Sequence, residues 1–308
     1  MNERLCIATW VYGRKYQGWI PVYVYSIKKN YPEYDIKIFV DGMLSIGIKR
    51  LLEKYKLTDS VQIIENILKK DNFPLKSDME KRCIRWLIGG DRFKEYDYVY
   101  MGDIDIYIVK EEEDLLQQHI KMIQKTRWNY SNAIRLTLVD YYKYRKKLDS
   151  RHLMRLTGLH FIKVNEYYKQ IKKAQQIVLK YLLSKKRIRF IDDLFFKDDE
   201  RCLWLIIFLA HLGFPKESYE LSSDNIRPLH GVHFAQGREY IIYKDLFRKN
   251  ETRNKEHKVY FDKFRQEYNS DFELRKLVFD SPFYILEIIK NTCGVWGATL
   301  SRNEINTI

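Results

Sequence analysis

The sequence predicts an α/β fold in which a mixed, mainly parallel sheet is built from β-α units and is followed by a helical, basic C-terminal extension. The first hundred residues alternate between short apolar runs and longer amphipathic ones, which is typical of strands and helices in a parallel sheet. The chain has 308 residues, of which 45% are hydrophobic, and this is enough to bury a sizeable core. We expect one domain over residues 1–243, with halves of about 1–110 and 111–243, and the extension over residues 244–308.

The first half is predicted to contain four strands with helices between them. The strands are expected at Arg4–Thr9, Asp35–Val40, Val61–Ile67 and Tyr98–Met101. The helices are expected to begin near Pro21 and end at Tyr31-Pro32, to span Leu44–Tyr55, and to span Ser77–Leu87, where Ser77 and Glu80 have the spacing of a capping box. The order of elements is therefore βαβαβαβ.

The second half and the extension are predicted to be mainly helical, with one returning strand at Leu156–Ile162. Helices are expected from after Lys110 to about Lys125, and at Glu166–Leu183, Glu200–Leu212, Asp271–Phe279 and Pro282–Ile289. An acidic loop is expected at Ile191–Asp199, between two of these helices.

The formal net charge is +14, which favours an anionic partner. Basic residues cluster at 143–147, at 185–189 and from Arg248 to Lys258, interleaved with Tyr, Phe and Leu. Membrane phospholipid and nucleic acid both attract such clusters through long-range electrostatics and counterion release. A solvated basic face with no partner is the alternative interpretation.

The cysteines and the apolar segments predict a reduced, cytoplasmic protein, and a peripheral position at the inner face of a membrane stays open. Cys6, Cys83, Cys202 and Cys293 form no zinc-ligand spacing. The N-terminus does not match a signal peptide. The longest uncharged apolar run, Cys202–Ala210, is about half of the roughly 20 residues that a membrane-spanning helix needs.

Two carboxylates directly follow the fourth predicted strand, at Asp103 and Asp105. A turn there can direct both side chains toward one hard cation. In open α/β sheets the ligand site lies at the carboxyl ends of the strands, which is where this D-x-D motif is expected. Solvated turn carboxylates are the alternative reading of a bare D-x-D.

The segment Ile84–Ile88 together with Glu95–Asp105 resembles a characteristic stretch of the GT-A fold glycosyltransferases, particularly family 8. The resemblance implies a Rossmann-like GT-A domain over residues 1–243, whose halves bind the nucleotide and the acceptor. It also implies that Asp103 and Asp105 bind Mn²⁺ or Mg²⁺ and that Arg85 contacts the donor. An exposed helix arginine is the alternative for Arg85.

Further parts of the chain are similar to the same family. The opening CIATW and its loop resemble the first strand and the nucleobase-binding turn, which makes Thr9 and Tyr12 candidate donor contacts. Thr157-Gly158-Leu159 is similar in position to a sugar-contacting segment, although the family's Asn and Ala are absent. Asp198-Asp199-Glu200 resembles an Asp-Gln pair near the donor sugar, with Glu in place of Gln. Helix capping is an equal alternative for these acids.

A late histidine motif, LHGVHF followed by Gly237-Arg238, is similar to the family's His-aromatic-x-Gly-x-Lys motif. The resemblance implies a histidine that completes the metal shell. His233 fits this position better than His230, although both stay open, and Arg238 is the candidate that neutralises the diphosphate.

The predicted activity is transfer of a sugar from a nucleotide-diphosphate donor, expected to be a UDP-sugar, to a glycan or lipid-linked saccharide in bacterial surface polysaccharide assembly. If the reaction inverts the anomeric centre, Asp199 or Glu200 is the candidate base; if it retains configuration, these acids position the sugar.

Two other functional classes stay open. A haloacid-type phosphatase also uses D-x-D but after its first strand, and a nucleic-acid-binding protein would exploit the charge, although no recognition motif supports it.

Overall fold

The computed structural model of the protein describes residues 3–70, 78–144, 153–196, 198–216, 230–234 and 251–295. A six-stranded sheet in the order β3-β2-β1-β4-β7-β6 lies at its centre, and a second sheet pairs β5 with β8. The strands are β1 Leu5–Val11, β2 Asp35–Val40, β3 Gln62–Glu65, β4 Tyr98–Gly102, β5 Ile106–Ile108, β6 Tyr130–Ser131, β7 His160–Lys163 and β8 Gly231–His233.

The first four strands of the central sheet are parallel, whereas β7 is antiparallel to β4 and β6 is antiparallel to β7. This arrangement confirms the predicted mixed, mainly parallel α/β fold. Every residue of β1 is buried, as expected for a strand whose sheet is covered on both faces. Leu5 and Ile7 face one hydrophobic cluster and Cys6 and Ala8 face the other, because successive side chains of a strand alternate between faces.

The helices cover both faces of the sheet. They are α1 Arg14–Gln17, α2 Ile20–Asn30, α3 Ile46–Lys54, α4 Ile67–Lys70, α5 Asp78–Cys83, α6 Leu115–Thr126, α7 Leu138–Tyr144, α8 Val164–Leu182, α9 Arg189–Phe195, α10 Asp199–Leu209, α11 Glu251–Ser270, α12 Phe272–Asp280 and α13 Phe283–Val295. Short 3-10 helices lie at Thr58–Ser60, Ile84–Trp86 and Gly90–Phe93.

Each predicted strand and helix has a counterpart among these elements, with shifts at its ends, but β5, β6, β8 and α7 were not predicted and one prediction is an error. The predicted acidic loop at Ile191–Asp199 is wrong, since Arg189–Phe195 forms α9. Its apolar residues Ile191 and Phe195 are one helical turn apart and pack together against the hydrophobic core. The capping role predicted for Ser77 lies outside the described residues.

The C-terminal helices share a hydrophobic cluster with α2, β5 and β8. Phe264 packs on Phe234, with ring centroids 5.3 Å apart, and the Tyr107 hydroxyl donates to Glu267 over 2.7 Å. The domain boundary near residue 243 stays a prediction, and the residues on either side of it lie outside the described ranges.

Cys6, Cys83 and Cys202 are buried free thiols. Among the described residues, no helix combines the length and the apolar composition that are needed to cross a bilayer.

Candidate functional site

The carboxyl ends of the four parallel strands form one edge of the sheet. Because β1 and β4 run in the same direction with Thr9 opposite Gly102, Tyr12 and Asp103 follow their strands at the same edge. Asp41 follows β2 there and pairs with Lys81 of the α5 segment at 3.0 Å. This edge therefore brings together segments that are far apart in the sequence, as the position of the D-x-D motif predicts.

Asp105 and His233 form a close pair beside this edge. The strand β8 pairs antiparallel with β5, and Ile106 is opposite His233. His233 Nε2 consequently lies 3.1 Å from Asp105 Oδ1. Gly231 permits this approach, since a Cβ there would lie 1.8 Å from the Tyr107 carbonyl oxygen.

The Asp105 carboxylate is almost completely buried, and burial acts to raise its pKa. The charge and hydrogen bond of His233 outweigh burial, so the pKa of Asp105 lies below its ordinary value. Asp105 is therefore ionised at neutral pH.

Arg85 connects the D-x-D motif to helix α10. Its guanidinium is buried and forms ion pairs with Asp103, through Nη1 at 2.5 Å, and with Asp199, through Nη2. The guanidinium also lies 4.3 Å from the centre of the Trp86 ring. Burial lowers the pKa of Arg85, but Asp199 and Asp103 raise it above its ordinary value. Arg85 is thus a fixed positive charge between two carboxylates rather than an exposed helix arginine.

Asp199 and Glu200 are adjacent in the first turn of α10, but their pKa values are shifted in opposite directions. Burial raises the pKa of Asp199 to about 6, against the opposing charge of Arg85, and the carboxylates of Asp103 and Glu200 add to the increase. Asp198, at the N-cap, accepts a hydrogen bond from Arg201 N over 2.8 Å. The capping function is therefore performed by Asp198, which leaves Asp199 directed toward Arg85.

Glu200 is held between two arginines. Arg135 donates to both carboxylate oxygens over 2.8 and 3.1 Å, and Arg155 donates to Oε2 from Nε over 2.9 Å. Burial acts to raise the pKa of Glu200, but the two arginines lower it to about 2. A carboxylate with so low a pKa is a poor proton acceptor at neutral pH, so Asp199 is the better candidate of the two.

Tyr12 and Thr9 have different surroundings. Thr9 is completely buried, and its hydroxyl donates to the Gly102 carbonyl over 2.9 Å, which joins β1 to β4. Tyr12 is half-buried, and its hydroxyl accepts a hydrogen bond from Arg82 Nε over 2.8 Å. The ring centroid of Tyr16 is 5.7 Å from that of Tyr12. Burial raises the pKa of Tyr16, and the negative charges of Asp105 and Asp103 raise it further.

A second group of histidines lies in the interior next to β8. His230 Nδ1 is hydrogen-bonded to Glu111, and its Nε2 lies 2.9 Å from His119 Nε2. His119 Nδ1 in turn lies 2.8 Å from the Ser131 hydroxyl. Burial lowers the pKa of His119 well below its ordinary value, so this ring is neutral. Both ring nitrogens of His230 are engaged here, whereas His233 faces Asp105.

Arg238, the predicted diphosphate contact, lies outside the described residues.

The sequence did not indicate a role for Arg82, Tyr16, Arg135 or Arg155. A signal for Arg82 exists, because it precedes Arg85 by three residues and the two face similar directions on a helical turn. No local signal exists for the partners of Glu200, which are 65 and 45 residues away along the chain.

Gly158 lies against the ion pairs of the site. A Cβ at this position would be 2.9 Å from Arg85 Nη2 and 3.1 Å from Asp103 Oδ2. Gly158→Ala is expected to displace both side chains by a few tenths of an ångström and to lower kcat/KM for donor turnover by roughly tenfold, since small displacements in a preorganised site are costly. Steady-state kinetics measures this effect.

Gly47→Ala is a matched control, because a Cβ at Gly47 meets no atom within 4 Å and therefore touches none of the ion-paired side chains of the site. Its kcat/KM is expected to equal that of the wild type. Equal kinetics in the Gly158 variant would argue against a functional role for the Arg85–Asp103 arrangement.

No protein-family profile and no curated protein sequence matches this chain. Among solved structures, the chain is similar to the galactosyltransferase LgtC in complex with donor and acceptor sugar analogues, with 16% identity, a TM-score of 0.34, and coverage of 62% of this chain and 70% of LgtC.

Two further similar structures are glycosyltransferases. For GlyE of Streptococcus pneumoniae TIGR4 the identity is 11%, the TM-score 0.40 and the coverage 80% of this chain and 51% of GlyE. For the mannosyltransferase Ktr4p of S. cerevisiae these values are 10%, 0.37, 59% and 62%. The matches cover 51% of GlyE and 62% of Ktr4p, which is less than two thirds of each of these two proteins. These proteins are of the enzyme class that the sequence predicts, but similarity at this level carries no argument about residues or substrates.

Proposed function

We propose that the protein is a metal-dependent glycosyltransferase that moves a sugar from a nucleotide-diphosphate donor, a UDP-sugar by expectation, to a saccharide or lipid-linked saccharide. The observation that carries the proposal is the position of the Asp105–His233 pair, and of Asp103 ion-paired with a buried arginine, at the carboxyl edge of a parallel sheet. Carboxylates and imidazole together suit Mn²⁺.

The separation within the Asp105–His233 pair fits two ligands of one cation. Adjacent ligands of an octahedral ion with bonds of about 2.1 Å lie roughly 3 Å apart, and Asp105 Oδ1 and His233 Nε2 are 3.1 Å apart. Within the described ranges no three metal-binding side chains already form a cluster. We therefore propose that Asp103, whose Oδ1 is bound by Arg85, supplies Oδ2 as a further ligand when donor and metal bind.

His233 rather than His230 is the proposed histidine ligand. His230 is completely buried, and both of its ring nitrogens are engaged by Glu111 and His119. His233 retains partial exposure and already contacts Asp105. We propose that His230, with its partners His119 and Glu111, stabilises the position of β8 and does not bind the metal.

Arg85, Arg82 and Tyr12 are the proposed donor contacts. Arg85 holds a fixed positive charge between Asp103 and Asp199 at this edge, where its Nη atoms can contact an oxygen of the donor diphosphate or sugar. Arg82 and Tyr12 flank the same edge. Arg238 remains a proposed donor contact on the basis of the resemblance alone. Thr9 is not proposed as a donor contact, because its hydroxyl is buried and donates to the Gly102 carbonyl.

Asp199 is the proposed acidic residue nearest the reacting sugar. With a pKa of about 6 it is mostly ionised at pH 7 and still basic enough to accept a proton. If the reaction inverts the anomeric centre, Asp199 takes the proton of the acceptor hydroxyl; if it retains configuration, Asp199 orients the sugar. When bound, a divalent cation would supply positive charge against the departing diphosphate.

The proposed acceptor is a glycan or glycolipid of bacterial surface polysaccharide assembly, reached from the inner face of the membrane. The predicted membrane contact through Arg248, Lys249, Arg253 and Lys255 concerns residues that lie outside the described ranges or whose side chains are not described.

The predicted phosphatase alternative has less support, since Asp103 follows the fourth strand rather than the first.

Donor hydrolysis tests the proposal. A panel of UDP-, GDP- and CDP-sugars is incubated with the protein, with and without Mn²⁺, and nucleotide release is compared with that of Asp103→Asn and Asp105→Asn. We expect metal-dependent turnover of one donor that both variants lose. Turnover that is the same with and without metal, or that both variants retain at the wild-type level, would contradict the proposed chemistry.

A further inference from the structure

One surface combines strong positive charge with exposed apolar side chains. Residues 169–190 read KQIKKAQQIVLKYLLSKKRIRF, with eight basic side chains and no acidic one. They form the larger part of α8, the turn after it and the beginning of α9. A surface helix ordinarily mixes both signs of charge, so this composition sets the segment apart.

The lysines of this segment carry charge that the described part of the protein does not neutralise. None of the six has an ion-pair partner among the described residues. Only the two arginines are paired, Arg187 with Glu80 and Asp192, and Arg189 with Asp193 at 3.8 Å. The positive potential of this surface is therefore available to an external partner.

Four large apolar side chains lie among these lysines and are exposed by 42–71%: Ile177, Leu183, Ile188 and Phe190. Ile177 and Lys180 follow Lys173 by four and seven residues, so the three share one side of α8. Ile177 and Leu183 line a shallow groove together with Lys180 and Ser184. The turn after α8 is held against the same groove, because the Tyr181 hydroxyl hydrogen-bonds the amide and the carbonyl of Ile188.

We propose that this basic-apolar face, formed by the four apolar residues and the lysines between them, docks on an anionic phospholipid bilayer. Lysines attract the headgroups, while aliphatic and phenyl side chains enter the boundary between headgroups and acyl chains. Residues 169–190 contain no acidic side chain, and Asp192 and Asp193, which follow them in α9, are paired with Arg187 and Arg189. The lysines, unpaired within the described ranges, therefore make the face complementary to a negatively charged surface. A single-stranded nucleic acid would instead favour aromatic stacking platforms, whereas three of the four exposed apolar residues here are aliphatic.

The face is connected directly to the donor side of the site. Arg187 is ion-paired with Glu80 of α5, and the proposed donor contacts Arg82 and Arg85 lie in α5 and in the 3-10 helix that follows it directly. Docking would therefore hold the site beside the headgroup layer, where a lipid-linked acceptor resides. This statement about the acceptor rests on the proposed function, but binding to a bilayer does not require turnover.

Flotation with vesicles tests the inference. The full chain is mixed with vesicles of phosphatidylcholine alone or with about 30% phosphatidylglycerol, and the bound fraction is measured. Wild type is expected to bind only the anionic vesicles. The triple variant Lys180→Gln, Lys185→Gln and Lys186→Gln is expected to bind at least about tenfold more weakly, given the contribution of each basic residue near an anionic surface. Ile188→Ser with Phe190→Ser is expected to weaken binding independently of ionic strength.

The control variant removes the same number of positive charges outside residues 169–190. It carries Lys28→Gln, Lys56→Gln and Lys125→Gln, and all three of these lysines are exposed. Its vesicle binding is expected to equal that of wild type. Equal binding by both triple variants would overturn the inference, as would binding of single-stranded RNA without vesicle binding. Donor hydrolysis is measured in parallel. Vesicle binding without hydrolysis would remove the proposed function alone, and hydrolysis without vesicle binding would remove this inference alone.

Discussion

The Asp105→Asn variant is expected to lose at least about a thousandfold of metal-dependent donor turnover, because a metal ligand that stabilises the leaving group contributes several kcal/mol to the transition state. Asp105 is buried and ionised, and it is hydrogen-bonded to His233. Asparagine preserves the size of the side chain and one oxygen but removes the charge. Initial rates of nucleotide release at saturating Mn²⁺ measure the loss.

Asp97→Asn is the matched control for this substitution. Asp97 lies at the opposite edge of the same sheet, immediately before β4, and accepts a hydrogen bond from the Arg4 amide over 2.8 Å. Asparagine can still accept that hydrogen bond, so turnover is expected to stay close to that of wild type. A similar loss in both variants would mean that Asp105 acts through the fold rather than through a metal.

Glu200→Gln is expected to lower the free energy of unfolding by about 3 kcal/mol at pH 7, since a carboxylate whose pKa falls from 4.5 to about 2 on folding stabilises the native state by roughly this amount. The variant leaves Arg135 and Arg155 without their shared anion, which is costly for partly buried charges. Urea unfolding of both proteins measures the difference.

The dependence of this effect on pH provides its control. Because the pKa of Glu200 is lowered in the folded state, its stabilisation is fully present above pH 4.5 and is lost as the pH falls toward 2. The difference between wild type and Glu200→Gln is therefore expected to decrease to about half by pH 3. Glu166→Gln, which breaks an exposed pair with Lys163, is expected to cost less than about 0.5 kcal/mol. Equal costs for the two variants would contradict the proposed role of the arginines.

The elements that the sequence predicts well are those with a strong local pattern. Asp35–Val40 is a strand with the predicted bounds, because its apolar run is enclosed by a tyrosine-proline stop and an Asp-Gly turn. Asp103 and Asp105 lie at the predicted edge, since the end of a parallel strand fixes the position of the residues that follow it. These inferences need only neighbouring residues.

The features of the candidate site that the sequence did not predict depend on contacts between segments that are distant along the chain. The sequence indicates a histidine near the metal, but the pairing of β8 with β5 joins residues more than 120 positions apart in a strand of three residues. The ion pairs of Arg85 with Asp103 and Asp199, and those of Glu200 with two arginines, likewise arise only in the folded chain. Charge and periodicity carry no information about which distant partner a side chain meets.

Mn²⁺ binding, followed by electron paramagnetic resonance in the presence of UDP and, separately, GDP, tests the central claim most directly, because it does not depend on the identity of the sugar or the acceptor. Wild type and Asp97→Asn are expected to bind Mn²⁺ with equal affinity in the presence of one nucleotide. Asp105→Asn and His233→Asn are expected to bind it at least about tenfold more weakly. Equal titrations of all four proteins with both nucleotides would contradict the assignment of this pair as metal ligands.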